Sequence, residues 1–569
     1  MKNLEISEIF REIASILEIK GDNPFRVRAY ERAAQNIEGL SEDIENYIKQ
    51  GRLSEIPGIG KDLAAKIVEI ARTGKLKFLE GLKKTIPSGL LELLNIPSVG
   101  PKTAKLLYEK LKIKNIPDLE KAIRQDKLKD IFGIKEKTVE NIRKGIEILK
   151  RAGERMSLAV AMQAAEEFTG VLRKLPEVKR ISSAGSLRRQ KERVRDIDIL
   201  VVSRRPEKVM NTFTKIPAVR DVLAKGETKS SVRTKDDVQV DCRVVEARSF
   251  GAALMYFTGS KNFNIKLRQL AIKKGLKLNE YGAFKKGKFI AGRSEEEIFK
   301  LLDMAYVEPE LREDTGEIEL ARKFKLPHLI ELKNIKGDLH VHSRWSDGSN
   351  SIEEVARACQ EGGYSYVAVT DHSQGLKVAG GLSQQELKKK KQEIDKVNKK
   401  LKGFRVLYGT EVDIDSNGKL DYPDEALKEF DIVVAAIHSG FKQSKEQLTR
   451  RLVRACQNKY AHILAHPTGR LWGTRDAYEV DLEEVFKSAK QTNTALEINA
   501  FPRRLDLNDL NCRRAKEMGV KLAIDTDAHI TEQLEMMKLG ISVARRGWLS
   551  PGDVINTLTL EELLKAIKK

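Results

Sequence analysis

The stretch Ser183–Val202, SAGSLRRQKERVRDIDILVV, constrains the fold more than any other part of the chain. It runs from a small-residue turn through a cluster of arginines to two aspartates separated by one apolar residue. On a strand side chains alternate faces, so Asp196 and Asp198 share one face while Ile197 and Ile199 point into a core. Two carboxylates so placed repel unless a cation lies between them, and hard oxygen ligands suit Mg²⁺ or Mn²⁺. Gly185 permits close backbone approach to a phosphate, Ser186 adds a hydroxyl, and Arg188 and Arg189 supply charge. Together these residues predict a site for a nucleoside triphosphate and its metals. A bare Asp-x-Asp at a strand end would otherwise be a solvated pair of acids.

The charge of the chain collects around this strand. The net charge is +21 over 569 residues, a length suited to three or four domains. Residues 1–150 carry 29 basic and 23 acidic side chains, residues 151–300 carry 33 and 18, and residues 301–569 carry 42 of each. A surplus so localised predicts a phosphate backbone as partner. With 41% hydrophobic and 33% charged residues, no apolar run of membrane length and no signal peptide, the chain is expected to be cytoplasmic and free of membranes. Cys242, Cys359, Cys456 and Cys512 are far apart and form no Cys-x-x-Cys pair, which fits a reducing compartment and excludes a disulfide frame or zinc finger.

Residues 1–150 show apolar positions at helical spacing, punctuated by Pro/Gly turns. Three turns resemble one another: Ile56–Gly60, Ile96–Gly100 and Ile131–Ile134, each followed by a Lys-rich helix start. Such turns aim backbone N–H groups at a phosphate without reading a base. This is the helix-hairpin-helix signature, with Gly58, Gly60 and Lys61 in the first copy and Gly100 and Lys102 in the second as expected DNA contacts. Tight αα-hairpins without a ligand are the alternative. Domains are expected at 1–85 and 86–150.

Residues 151–312 read as an α+β domain. Val238–Val245 alternates cleanly, putting Asp241 outward as a third carboxylate on a neighbouring strand. Three carboxylates can hold two divalent ions about 4 Å apart, the arrangement for in-line phosphoryl transfer.

Ala252–Arg268, with Tyr256-Phe-Thr-Gly-Ser260, Asn264 and Arg268, together with Asn279–Tyr281 and Glu296–Phe299, resembles the nucleotide-selecting region of family X DNA polymerases. The resemblance implies that Tyr256 and Phe257 test the sugar, Gly259 permits close backbone approach, Asn264 meets the base edge and Arg268 the template. It further implies that Arg155, Gly185, Ser186 and Arg189 hold the triphosphate with Arg188 nearby, and that Asp196, Asp198 and Asp241 bind two Mg²⁺ ions. Phe25–Ala34 and Ile56–Glu80 resemble the small N-terminal domain of DNA polymerase beta and its relatives. There the Schiff-base lysine of an abasic-site lyase falls on Lys66, with Arg26, Tyr30 and Lys61 around a 5′-phosphate. A phosphate contact or a solvated helix lysine is the other reading of Lys66. This chain departs from the family at Asp62, where a basic residue is usual, at Lys261, where an acid is usual, and at Gln239, where an arginine is usual.

After a charged stretch at 313–334, read as a linker, Gly337–Gly348 puts His340 and His342 on one strand face with Asp347 in the next loop. Of eight histidines, six fall at expected strand ends: His340, His342, His372, His438, His466 and His529. Glu411 and Asp527 join them. Such ligands spread over several strand ends predict two or three transition-metal ions at one end of a barrel. Segments across most of 335–569 resemble the polymerase-and-histidinol-phosphatase (PHP) family, which implies a distorted (β/α)₇ barrel, a phosphoesterase activity and Mn²⁺ or Zn²⁺ at all nine ligand positions.

The expected whole is a multidomain chain: all-α helix-hairpin-helix regions, a polymerase beta-like α+β core and a C-terminal PHP barrel. Its expected substrates are gapped or primer-template DNA and dNTPs, acted on by a monomer that fills short repair gaps and trims 3′ ends. Two rivals stand beside this reading. One is a template-independent nucleotidyltransferase; the other fuses a DNA-binding polymerase to a non-nuclease phosphatase or structural barrel.

Overall fold

The computed structural model describes residues 3–38, 44–56, 58–96, 99–128, 131, 134, 136–153 and 155–568. The first helical unit packs α1 (Asn3–Lys20), α2 (Pro24–Glu38) and α3 (Lys61–Thr73) around Phe10, Ile13, Leu17, Tyr30, Ile56 and Ile67. Leu63, Ile67 and Ile70 lie on one stripe of α3, and the helix stops at Gly74 in the left-handed conformation, whose N–H bonds the Ile70 carbonyl. A second core runs from Leu90 to Ile146, takes in Ile19 of α1, and contains α4 (Pro101–Leu111), with proline in the first turn where no N–H is needed. Pro57, Pro97 and Ser98 of the first two expected hairpins, and Phe132 and Gly133 of the third, lie outside the described residues.

The central sheet holds five strands, β1 (Val178–Ser183), β2 (Asp196–Ser203), β3 (Val219–Lys225), β4 (Lys229–Thr234) and β5 (Gln239–Val245), in the order β1-β2-β5-β4-β3. The β2–β5 pair is parallel and the others are antiparallel. Ile197, Ile199 and Val201 face a core built with Ala161, Phe168 and Phe213. On the opposite face α5 (Phe250–Thr258) covers Leu200 and Val202 through Phe250, Ala253 and Leu254. The acidic end of β2 therefore emerges where α5 no longer covers the sheet. The helix that precedes β1 begins at Leu158 and is capped by Ser157; Arg155 lies exposed just before it.

Beyond α5, α6 (Lys261–Lys273) and a three-stranded sheet pack on Phe263, Leu267 and Phe299. The stretch 313–334 adds a helix, Glu317–Arg322, whose Ile318 and Ala321 enter this same core beside Trp548. Seven parallel strands follow in sequential order: β6 (Gly337–Val341), β7 (Tyr366–Val369), β8 (Arg405–Asp413), β9 (Ile432–Ala436), β10 (Ile463–Leu464), β11 (Ala495–Asn499) and β12 (Leu522–Asp525). The sheet curls toward closure. The Asp527 N–H donates to the His340 carbonyl at 2.9 Å, and the His342 N–H donates to the Ala528 carbonyl at 2.8 Å. Capping boxes Ser351/Glu354, Ser383/Glu386 and Ser444/Gln447 start three of the outer helices. Among the described residues no helix is long and apolar enough to cross a membrane.

Candidate metal centres and nucleotide site

The parallel register of β2 and β5 sets Asp198 opposite Asp241 and Asp196 opposite Gln239, with all three acids on the face away from Ile197 and Val240. Beside them the turn after β1 places Gly185 at a φ of 64°, and a Cβ there would come within 2.6 Å of an Asp198 carboxylate oxygen. Only glycine leaves room for the acid. The Asp198 carboxyl is pushed up to about 6, by burial first and then by Asp196 and Asp241. A hard-oxygen set of crowded acids fits Mg²⁺-type ions.

A folded-state pKa above the unfolded value means that the native chain holds this proton more tightly. Stability is therefore lost as pH rises from about 4 through about 6 and the crowded acid ionises. A divalent cation at the site offsets that loss. Mg²⁺ is expected to raise the unfolding temperature more at about pH 7.5 than at about pH 5. Scanning calorimetry of the chain and of Asp198→Asn checks this, since the pH-dependent part of the rise belongs to the parent alone.

The arginines of the turn are already engaged. Arg188 makes two bonds to Glu295, at 2.8 and 2.6 Å, and one to the Thr258 hydroxyl at 2.8 Å; buried Arg312 reaches the same Glu295 at 2.5 Å. Burial opposes the Glu295 charge, but Arg312 and Arg188 outweigh it and bring its pKa down to about 2. Arg188 thus locks the turn to the neighbouring domain. Arg189 bonds Glu313 at 3.1 Å and the Thr258 carbonyl, which places it under Gly259. Tyr256 and Phe257 meet edge to face at 5.2 Å, and Arg243 stacks on Phe257. Asn264 donates to the Tyr256 carbonyl at 2.7 Å, and Arg268 is exposed one turn further along α6. Gln239 donates to Asp241 at 3.2 Å, so the residue that departs from the family touches the third acid directly. Lys261 is exposed at the start of α6.

In the first helical unit, Lys66 and Arg26 both lie over the Phe78 ring, at 5.2 and 5.4 Å, and Tyr30 stacks on the same ring at 6.2 Å. The Lys66 ammonium pairs with Asp62 at 2.5 Å. Lys61 is exposed. Gly60 and Gly100 sit at the N-termini of α3 and α4, and a Cβ at either would meet nothing within 4 Å. The backbone there is open to a phosphate. Gly58 holds a φ of 79° before the first helix, and Lys102 is exposed in the first turn of the second.

The strand ends of the barrel bring all nine expected ligands together. One Glu411 oxygen lies 2.8 Å from His372 Nδ1 and 3.4 Å from His340 Nε2; the other lies 3.2 Å from His438 Nε2 and 3.1 Å from His466 Nε2. Asp527 approaches His342 at 3.2 Å, and Asp347 approaches His372 and His529 at 3.5 and 3.4 Å. Three groupings have ligand atoms within 4.8 Å of one another: His342, Asp347, His372 and His529; His340, His342 and Asp527; and His372, Glu411 and His438. Among the described residues these are the groupings that close so tightly; the three acids of the central sheet are not one of them. His340 Nε2, both ring nitrogens of His342, and His372 Nδ1 are buried without a hydrogen bond. Buried polar atoms in that state are expensive, and a cation that accepts their lone pairs satisfies them. Burial works against charge on His372 and His438, yet Glu411 lifts them to about 10 and 9. Burial and neighbouring cations take His342 down to about 4.

Behind the ligands stands a second layer that fixes ring orientation. Glu497 accepts from His340 Nδ1 at 2.6 Å and from the His466 N–H at 2.6 Å, Asp413 pairs with His438, and Asn499 donates to Asp527 at 3.1 Å. Asp413 lies two residues after Glu411 on β8, so strand alternation carries the signal for it; Asn499 stands in the same relation to Glu497. His462 receives the Val433 N–H at 3.0 Å, consistent with a structural role. Asp371 accepts from the Ser343 N–H and from the hydroxyls of Ser343 and Ser346, steadying the loop that bears Asp347. Its charge is balanced by fully buried Lys390 at 2.8 Å, which also donates to the Val369 and Gly409 carbonyls. Lys390→Met strands the Asp371 carboxylate and is expected to destabilise the barrel by about 3–5 kcal/mol, read from its transition in urea unfolding.

Comparison with known proteins agrees with this layout. A helix-hairpin-helix family model matches residues 1–76, a SAM-like helix-hairpin-helix tandem matches 90–147, a DNA polymerase beta thumb matches 253–313, and a PHP domain matches 338–501. The chain is 40% identical over 573 residues, spanning the whole of both proteins, to the DNA polymerase/3′-5′ exonuclease PolX of Bacillus subtilis (strain 168). Shorter relatives match the barrel region. A probable phosphatase of Thermoanaerobacter sp. (strain X514) is 31% identical over 41% of this chain and 95% of its own length, and one of Caldicellulosiruptor bescii is 30% identical over 41% and 95%. With helix-hairpin-helix units, a carboxylate-bearing core, a polymerase beta thumb and a histidine-lined barrel in one chain, this protein belongs to the family X DNA polymerases that carry a C-terminal PHP domain.

Proposed function

We propose that the chain is a DNA polymerase that fills short repair gaps under template direction and removes 3′ nucleotides at its barrel. The observation that carries this reading is the β2–β5 register, which sets Asp196, Asp198 and Asp241 on one face beside the Gly185 turn and the Tyr256–Arg268 segment. The likeness to a whole-length relative named as polymerase and 3′-5′ exonuclease supports it. Divalent ions, Mg²⁺ at the acids and Mn²⁺ or Zn²⁺ at the histidines, supply Lewis acidity and charge neutralisation when bound. The protein's own part is position and charge. Ser186, Arg189 and Arg155 take the triphosphate, while Arg188 anchors their turn to Glu295. Tyr256 and Phe257 screen the sugar, Gly259 permits close backbone approach, Asn264 meets the base edge and Arg268 the template. Gly58, Gly60, Lys61, Gly100 and Lys102 hold the DNA backbone from the two helical units, with the chain acting as a monomer in the cytoplasm.

Primer extension across a one-nucleotide gap with each templating base in turn tests the reading; insertion insensitive to the template supports a template-independent transferase instead. The phosphatase names of the barrel-only relatives favour a second reading for the C-terminal half. Given 3′-recessed DNA and Mn²⁺, an Asp196→Ala/Asp198→Ala protein that leaves DNA intact yet hydrolyses small phosphate esters would establish it.

Lys66 is the proposed lyase nucleophile, restrained by its own neighbour. Attack on a sugar aldehyde needs the amine free to reach it, and the ion pair with Asp62 at 2.5 Å holds Lys66 along its own helix face. Borohydride trapping on a 5′-incised abasic site should be weak in the parent, rise several-fold in Asp62→Ala and vanish in Lys66→Ala.

A further inference from the structure

The turn that bears Gly185 and Ser186 continues into Arg189–Arg193, and the barrel grips each of those residues but one. Arg546, on the helix α7 (Met537–Arg546), donates to the Arg189 carbonyl at 2.8 Å. Ser542 of the same helix donates to the Gln190 side chain at 2.9 Å, and Gln190 itself holds a φ of 55° that a non-glycine residue rarely adopts. Arg470, in the loop after His466, forks onto Glu192 at 2.7 and 3.3 Å. Arg193 lies over the Trp472 ring at 4.1 Å. The remaining residue, Lys191, shares Glu313 with Arg189 and Arg546. Arg546 is 5% exposed and Arg470 13%, so the guanidinium ends of these pairs are largely out of water and geometrically defined. Planar guanidinium forks on a carboxylate and a backbone carbonyl fix direction as well as distance.

We infer that the barrel buttresses the nucleotide-binding turn through the segment that follows it, with Arg470 and Arg546 as positioning residues for the incoming nucleotide's triphosphate. They act through the Arg189–Arg193 segment and touch no substrate. The inference rests on the polymerase reading of the central domain and adds to it a second role for the C-terminal half, separate from its own chemistry. Glu192 belongs to the Arg189–Arg193 segment, and its partner Arg470 is itself tied to the carbonyls of Arg504 and Leu505 in the barrel. A slackened turn misplaces Ser186 and Arg189 before chemistry begins. The expected cost is in nucleotide binding, not in turnover.

The test is single-nucleotide gap filling by the full-length protein under steady-state conditions, with Glu192→Gln, Glu192→Asp and Trp472→Leu beside the parent. Glu192→Gln should raise KM for dNTP about tenfold with kcat within about twofold, Glu192→Asp should recover most of the loss, and Trp472→Leu should shift KM in the same direction. Shortening of the 3′ end by Glu192→Gln, measured without dNTP, should match the parent. An unchanged KM in Glu192→Gln and Trp472→Leu overturns the inference while leaving the polymerase reading standing. Parallel loss of kcat, 3′ shortening and thermal stability also overturns it, because it marks plain support of the fold. A parent that inserts no nucleotide at all removes both readings together.

Discussion

Asp198→Asn is expected to lower nucleotide insertion by at least about 10³-fold, about 4 kcal/mol of lost transition-state stabilisation, while leaving 3′ shortening at the parent rate. The substitution keeps the shape of the side chain beside Gly185 and removes one of three acids. Its effect on folding runs the other way. The Asp198 carboxyl is pushed up to about 6 by burial and by Asp196 and Asp241, so neutralising it relieves repulsion in the metal-free chain. The variant should therefore unfold at a temperature no lower than the parent near neutral pH. A large loss of insertion with intact stability separates a failed metal site from a failed fold. Gap filling with a labelled primer, followed on the same samples by calorimetry, gives both values.

Glu411→Gln is expected to do the converse, lowering 3′ shortening by at least about 10³-fold with insertion retained. Glu411 is 1% exposed and its two oxygens face His340, His342, His372, His438 and His466. Among the described carboxylates of the barrel centre it approaches the most histidines. Burial opposes its charge, and the surrounding histidines outweigh that and hold it well below the usual carboxylate range. An amide of equal size keeps the packing but no longer bridges the groupings electrostatically, so the chain should also retain fewer divalent ions after dialysis. Elemental analysis beside the labelled-primer assay reads both. Loss of insertion in this variant would mean that the two centres are not separable.

Much of this was legible in the residues because the chemistry is periodic. Strand alternation alone sets Asp196 and Asp198 on one face and Asp241 on the next strand, and the register then pairs Asp198 with Asp241. The rarity of histidine made six strand-end positions conspicuous, and the barrel gathers them with Asp347, Glu411 and Asp527. What could not be read came from partners far apart in the chain. Arg188 and Arg189 carry the right charge for a triphosphate, but the ion pairs to Glu295 and Glu313 lie more than a hundred residues away and follow no local pattern. The pairing of Asp62 with Lys66 was within reach, since four residues separate neighbours on a helix face. Residues 313–334 showed no period because the helix Glu317–Arg322 is short and buries only Ile318 and Ala321 beside the carboxylate of Glu317. The contacts of Arg470 and Arg546 with the nucleotide turn join segments some 280 and 360 residues apart, which only the folded chain reveals.

On the proposed reading, one chain adds nucleotides at the acids of the central sheet and removes them at the histidine centre of the barrel. A primer labelled at its 5′ end and annealed beside a one-nucleotide gap, incubated with Mn²⁺ and with or without the complementary dNTP, tests it most directly. The parent is expected to lengthen the primer by the templated nucleotide and to shorten it when dNTP is withheld, Asp198→Asn only to shorten it, and Glu411→Gln only to lengthen it. Shortening that persists in Glu411→Gln, or lengthening that persists in Asp198→Asn, would contradict that reading.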